Sequence, residues 1–454
     1  MKQINVDNLI AESKFGPFQF MILFWCCLIV IFDGYDFVIF ASVVPVLMEE
    51  WGLSPLQVGA IGSYTLFGTM IGTLFFGPLA DKIGRKKVIT TCVIIFSVFT
   101  SMLWFSNSPT SFGILRFIAG LGLGGLLPNV VAITTDYAPK NLRTILVTIV
   151  TSAYNLGGVL SAGIAIWLLP VFGWKVLFLV GIIPLLFVPI MYKSLPDSPS
   201  YLLASNQKDK LANALRRTNP SYLPGKNDQF VIPNNEKSAI PFVNLFTNRR
   251  AMTTLLFWFA MAMGLLLVYG LNTWLPKLME MGGFPLGSSL LFLLLFNFGA
   301  IFGSVIGGWL ADKWNGRKVV MLFSIIASIF FVLLSFKSHF LILYLLIFIA
   351  GATATGANQV GTGYISQYYP GSMRSTAVGW AIGMGRVGAV LGPTLGGILL
   401  SMNLPFKFNF LILAIPGVIV AITYLLIKGS SDTASKNMKD LNPSVSQDPV
   451  ITND

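Results

Sequence analysis

Twelve long, almost uninterrupted apolar stretches govern what this chain can fold into. They cover 18–44, 56–80, 88–107, 111–133, 144–170, 174–192, 251–277, 286–311, 319–337, 340–366, 375–401 and 407–427. A helix rising about 1.5 Å per residue needs roughly 20 such residues to cross a hydrocarbon core about 30 Å thick. Inside a bilayer no water satisfies backbone N–H and C=O groups, so stretches of this kind must be helical. Composition agrees. Of 454 residues 55% are hydrophobic and 11% are charged, against about 25% charged in a soluble domain. That balance excludes a water-soluble enzyme, a nucleic-acid-binding protein and a disordered chain.

The net charge of +12 follows from topology, because the basic residues sit in short segments between the apolar runs. With both termini on one side, all but six lysines and arginines fall on that side or in its loops. Lys175, Lys277, Lys337 and Lys407 lie opposite, and Arg116 and Arg386 fall inside spans. The asymmetry places both termini and the central loop in the cytoplasm. The opening MKQINVDNLIAESKF has no short apolar stretch ending in a small-residue cleavage site, so the first span is expected to be retained. The division expected is a six-helix half over 1–193, a cytoplasmic linker over 194–250, a second half over 251–427 and a disordered cytoplasmic tail over 428–454. The linker contains SNQKDK, LRRTNP and PGKNDQ and is expected to hold one short surface helix. Cys26, Cys27 and Cys92 lie in apolar runs without metal-like spacing, giving neither a disulfide framework nor a zinc site.

An internal repeat sets the architecture. Ala80-Asp81-Lys82 recurs as Ala311-Asp312-Lys313, 231 residues later, within GPLADKIGRKK (77–87) and GWLADKWNGRK (308–318). Tyr137-x-Pro139-x-x-x-Arg143 recurs at the same offset as Tyr368-x-Pro370-x-x-x-Arg374. Six spans return the chain to its starting side, so the two copies are parallel. Such repeats, with a site between the halves near the midplane, are characteristic of transporters.

The G-x-L-A-D-K-x-G-R-K loop, its echo at 308–318, and Arg116 in RFIAGLGLGG resemble the major facilitator superfamily over the whole chain. Within it, Asp33-Gly34-Tyr35-Asp36, GLGGLLPN (122–129) and GWAIGMGRVGAVLGP (379–393) are similar to the aromatic acid:proton symporters, with benzoate transporters nearest. The resemblance implies an all-α membrane protein with twelve transmembrane helices in two pseudo-symmetric halves, the major facilitator fold, in a bacterial inner membrane. It also implies a small aromatic acid and protons as partners and no cofactor. Two departures are visible. Lys82 stands where the loop more often has Arg, and Asp136 where the group usually has Glu.

Only four ionisable residues fall well inside the spans. Each costs about 2.5–3.5 kcal/mol at a helix centre on insertion scales, so each needs a partner or a watered cavity. Asp33 and Asp36, three apart, share one helix face. Two carboxylates so close resist joint ionisation, which makes either a proton-carrier candidate and leaves structural anchoring as the other reading. Asp36 and Arg116 both lie about 10 Å below the outer surface, which permits a salt bridge between the first and fourth spans. Arg386 lies nearer the midplane with no acid to match it in its half. A guanidinium there suits a substrate carboxylate, or it ties its helix to backbone carbonyls. Its counterpart in the repeat is Asn155. Arg386 and Arg116 are therefore the candidate carboxylate ligands. Asn129, Asn272, Trp274, Asn297, Asn358, Gln359 and Trp380 are positions that line a cavity or make helix–helix contacts.

Asp81, Arg85, Asp136, Arg143, Asp312, Arg317 and Arg374, with Lys82, Lys86, Lys87, Lys313 and Lys318, lie at the cytoplasmic face. There they form gating salt bridges between the halves, set topology, or both. The glycine runs GLGLGG (120–125), NLGG (155–158) and GMGRVG (383–388) are read as close helix packing. GLGLGG is no dinucleotide fingerprint, having no strand before it. His339, the lone histidine, is read as a solvated loop residue, with a proton-sensing role left open.

The function expected is proton-coupled uptake of a small aromatic carboxylate, most closely benzoate. Asp36→Asn is then expected to bind substrate without concentrating it. The alternatives are hydroxybenzoate, a diacid such as muconate, and proton-driven export. No catalytic constellation argues for an enzyme, no feature requires an oligomer, and nucleic acid is not an expected partner.

Overall fold

A computed structural model of the chain describes residues 3–220, 222, 229–231, 245–247, 250–336, 339–369 and 373–427. The tail expected to be disordered, Lys337, and Pro370 of the repeated motif lie outside the described residues.

Among the described residues, twelve helices are long and apolar enough to cross a membrane. In the first half they are α2 (Pro17–Trp51), α3 (Pro55–Ile83), α4 (Arg85–Met102), α5 (Pro109–Tyr137), α6 (Arg143–Phe172), and a sixth span built from α7 (Lys175–Leu179) and α8 (Ile183–Ser194). In the second they are α11 (Ala251–Met281), α12 (Leu286–Lys313), α13 (Gly316–Leu334), α14 (Phe340–Tyr368), α15 (Arg374–Ser401) and α16 (Phe406–Leu426). The first span, expected over 18–44, runs on through Pro45 and stops where Gly52 takes a left-handed conformation at φ 61°. Ser54 and Gln57 then cap each other's backbone N–H groups and start α3.

The repeat uses two different stops at its matching loops. Gly84, at φ 99°, turns the chain between α3 and α4. In the second half the extra residue, Asn315, caps α13 by accepting from the Arg317 N–H at 2.9 Å.

Among its described residues, the stretch expected to be a linker with one short surface helix holds two, α9 (Pro199–Ala204) and α10 (Lys208–Thr218), after which strand β2 (Gln229–Val231) pairs in parallel with strand β1 (Gln3–Asn5). Leu211, Ala214, Leu215 and Thr218 recur at helical spacing and form the buried face of α10. Leu211 and Leu215 share a small core with Ile4, Val6 and Ile10, the last two from α1 (Val6–Ala11). The amino-terminal segment thus docks onto the chain following the sixth span.

Three larger cores describe the membrane part. One, on the side away from α9 and α10, joins both halves: Phe37, Val44 and Ile61 belong to it together with Leu267, Leu271 and Phe292. The other two lie on the linker side and are separate, one in each half. The halves therefore meet on the far side. There Ser63 of α3 donates to the Val390 carbonyl at 2.6 Å and lies 2.7 Å from the Thr394 hydroxyl, both on α15. Among the described residues no ion pair joins the halves.

Candidate functional site

The charged residues of the spans sort into two groups. Asp36 of α2 is 1% exposed and so is Arg116 of α5. Arg116 Nη1 donates to Asp36 Oδ2 at 2.8 Å and to its backbone carbonyl at 3.1 Å. The second carboxylate oxygen accepts from Thr100 Oγ1 of α4 at 2.5 Å. The Arg116 guanidinium also lies 5.1 Å from the Phe40 ring centroid. The salt bridge that depth arithmetic permits is formed; it engages Arg116 through Nη1 alone, leaving the buried Nε without a partner.

Asp33 and Arg386 make up the second group. Asp33 interacts electrostatically with Arg386 and with Asp36. No direct ion pair links Asp33 to Arg386, and Arg386 is partly exposed. Arg386 is one turn from Val390 on the α15 face that meets α3, so it points toward the other half. Tyr154 of α6 lies close enough to Tyr269 of α11, Asp33 and Arg386 to interact electrostatically with all three. The Tyr269 ring makes an edge contact with Phe37 at 4.6 Å. Two helices from each half thus converge: α2 and α6 from one, α11 and α15 from the other.

The sequence supplies the approach of α2 to α6. A Cβ on Gly34 would run into the Tyr154 carbonyl, and one on Gly157 into the Ile31 carbonyl, so bare backbones meet on both sides of the crossing. That contact delivers Tyr154 to Asp33. Sequence reasoning missed Tyr154, Tyr269 and Thr100. Tyr154 adjoins Asn155, the repeat counterpart of Arg386, and that adjacency was the available signal.

The remaining candidates disperse. Trp274 is 2% exposed and donates Nε1–H to the Pro393 carbonyl at 2.8 Å, a contact of α11 with α15. Trp380, 44% exposed and stacked on Trp258, shares its helix face with exposed Val387, Leu391 and Ile398, away from the face of Arg386. Asn297 donates to Asn272 Oδ1 at 3.0 Å and packs against Gly158 of the other half. Asn129 and Asn358 donate back to carbonyls one turn earlier, and Asn358 borders a cavity of about 20 Å³, room for one water. Gln359 is exposed.

At the linker-side ends Arg85 and Asp136 form an ion pair within the first half. Arg317 donates to the Tyr424 and Leu425 carbonyls at the end of α16. Asp81, Arg143, Asp312 and Arg374 are exposed. The GLGLGG run packs: Cβ atoms on Gly120 and Gly124 would meet the Thr65 and Thr69 carbonyls of α3. His339 is exposed at the start of α14.

A charged site enclosed by two six-helix halves, joined on one side only, defines a membrane transporter. The chain belongs to the Major Facilitator Superfamily, whose model matches residues 26–315 and 288–451. It is 41% identical to the benzoate transport protein of Acinetobacter baylyi, over 99% of this chain and 98% of that one. It is 35% identical to the gentisate transporter of Corynebacterium glutamicum, over 90% and 88%. Its fold matches the inward-open structure of the xylose transporter XylE from E. coli at a TM-score of 0.71, with 17% identity over 92% of this chain and 99% of that one.

Proposed function

We propose that the protein imports a small aromatic carboxylate, benzoate foremost, together with protons. The observation that carries this reading is the convergence of Arg386, Asp33, Tyr154 and Tyr269 beside the Phe37 ring. The similarity to a benzoate transport protein along the whole chain supports it. Arg386 grips the carboxylate through two parallel charge-assisted hydrogen bonds. The aromatic ring packs by edge or offset contact against Tyr269 and Phe37, and the tyrosine hydroxyls orient it.

Asp33 carries the proton. An anion entering an inside-negative cell moves against about 2.3 kcal/mol per 100 mV, and one accompanying proton removes that cost. Asp36 and Arg116 pair with each other out of solvent and hold α2 against α5, so the transport role passes to Asp33 and Arg386. The linker side faces the cytoplasm of a bacterial inner membrane, by the lysine and arginine asymmetry. A single chain contains the whole site, so a monomer suffices. Rocking of the halves opens the far side and brings the exposed loop charges, Asp81, Arg143, Asp312 and Arg374, within reach of one another.

Occupation of Arg116 by Asp36 also speaks for a monoacid over muconate, whose two carboxylates need two free cations.

The test is uptake of labelled benzoate into proteoliposomes, with the inward proton gradient imposed separately from the membrane potential. Gradient-driven accumulation, competed by other aromatic acids and not by muconate, is the expected result. Asp33→Asn should exchange benzoate across the membrane but fail to concentrate it. Full proton-driven accumulation by that variant would refute the role of Asp33, and outward flux would favour export.

A further inference from the structure

A polar cavity lies apart from the proposed transport site. It has a volume of about 370 Å³ and opens on the linker side of the first half, between the ends of α2, α4 and α8 and the helices α9 and α10. Lys86, Lys87, Lys193, Lys210 and Arg217 line it against a single acid, Asp197. Like charges so close repel one another, and nothing in transport across the central site requires them here.

Two of the cations are held by aromatic faces. Lys86 Nζ lies 4.5 Å from the Tyr192 ring centroid, and the Arg217 guanidinium 4.4 Å from that of Phe18. Asp197 Oδ1 accepts from the Lys86 N–H at 3.4 Å and the Ser198 N–H at 3.1 Å. Its one negative charge is set against five positive ones, so the cavity stays strongly cationic. Phe18 opens the first span, Lys86 the third, and Tyr192 and Lys193 close the sixth, so the cavity lies at the level of lipid headgroups. Basic pockets between spanning helices at that depth bind anionic headgroups.

We infer that this cavity is a binding site for a phosphate group, carried by an anionic phospholipid of the linker-side leaflet or free in solution. The phosphate oxygens accept from the lysine ammonium groups and Arg217 in charge-assisted hydrogen bonds. The site also touches the gate. Lys86 directly follows Arg85, which pairs with Asp136, and the Asp197 carbonyl accepts from Tyr137 at 2.6 Å. Occupancy therefore steadies the loop between α3 and α4.

The experiment titrates the purified full-length protein in mixed micelles with phosphatidylglycerol, with inorganic phosphate, and with phosphatidylcholine as the zwitterionic blank, following the melting temperature. A saturable rise with phosphatidylglycerol alone identifies the lipid, and an equal rise with inorganic phosphate identifies the free anion. In either case the double variant Lys193→Gln/Lys210→Gln should weaken the apparent affinity about 30-fold, from about fivefold per surface cation. Both lysines are exposed, so the fold should tolerate the change, which the melting temperature without ligand checks. An unchanged affinity in the double variant, or no saturable rise with either probe beyond the blank, would overturn the assignment.

Discussion

Asp36 and Asp33 stand three residues apart on one helix, yet they have opposite surroundings. Asp36 has a guanidinium, a threonine hydroxyl and almost no exposure. Asp33 faces a partly exposed arginine across a gap. Removing one member of a fully buried pair leaves the other uncompensated, at a cost of about 3–5 kcal/mol. Arg116→Ala should therefore lower the melting temperature steeply and reduce the yield of folded protein, and Asp36→Asn should do so to a smaller extent because its amide still bonds. Arg386→Ala should leave the melting temperature nearly unchanged while benzoate binding weakens roughly 10- to 100-fold, as expected for losing a charged hydrogen-bonding partner. Thermal unfolding and equilibrium binding on the two alanine variants check the contrast. Equal loss of stability in both would merge the two roles.

At the scale of the helix, the site depends on how closely α2 and α6 approach. Gly34 and Gly157 each face a backbone carbonyl of the partner helix, where no Cβ fits without a shift. A volume increase in such a contact costs about 1–3 kcal/mol, and the helix that moves carries Tyr154 or Asp33 with it. Gly157→Ala should accordingly lower both the melting temperature and the uptake rate. Gly363→Ala is the matched control, since a Cβ there meets open space, and it should alter neither. The paired measurement separates a packing requirement at the crossing from a general intolerance of alanine in these helices.

Across the whole molecule, one core shared by the halves and two that are not make the far side the closed one. Alternating access requires that closure to break and re-form in each cycle. Ser63 and Thr394 face each other across it with their hydroxyl oxygens 2.7 Å apart. A disulfide formed in Ser63→Cys/Thr394→Cys should hold the far side shut and stop uptake, and reduction should restore it. The three native cysteines are buried or only partly exposed and are poorly placed to interfere. Uptake unaffected by a fully formed crosslink would show that transport does not pass through far-side opening.

The sequence by itself determined the twelve spans, the parallel repeat, and the short set of charges that had to find partners in the bilayer. These are properties of composition and offset: transferring about 20 apolar residues from water is favourable, and burying a lone charge is not, wherever neighbouring helices lie. Which charge meets which partner was decided only by the tertiary structure. Lipid tails are as apolar as a protein core, so no polar stripe marks the inner face of a spanning helix, and its rotation is set by small-residue contacts with its neighbours. Hence the possible Asp36–Arg116 pair was legible from depth alone, while Tyr154 and Tyr269 went unseen and the choice between cavity lining and helix contact at Trp274 stayed open until its bond to the Pro393 carbonyl was on view. The docking of α1 and β1 onto α10 and β2 was missed for a related reason: each segment is too short to show a pattern, and its apolar face is completed by chain some 200 residues away.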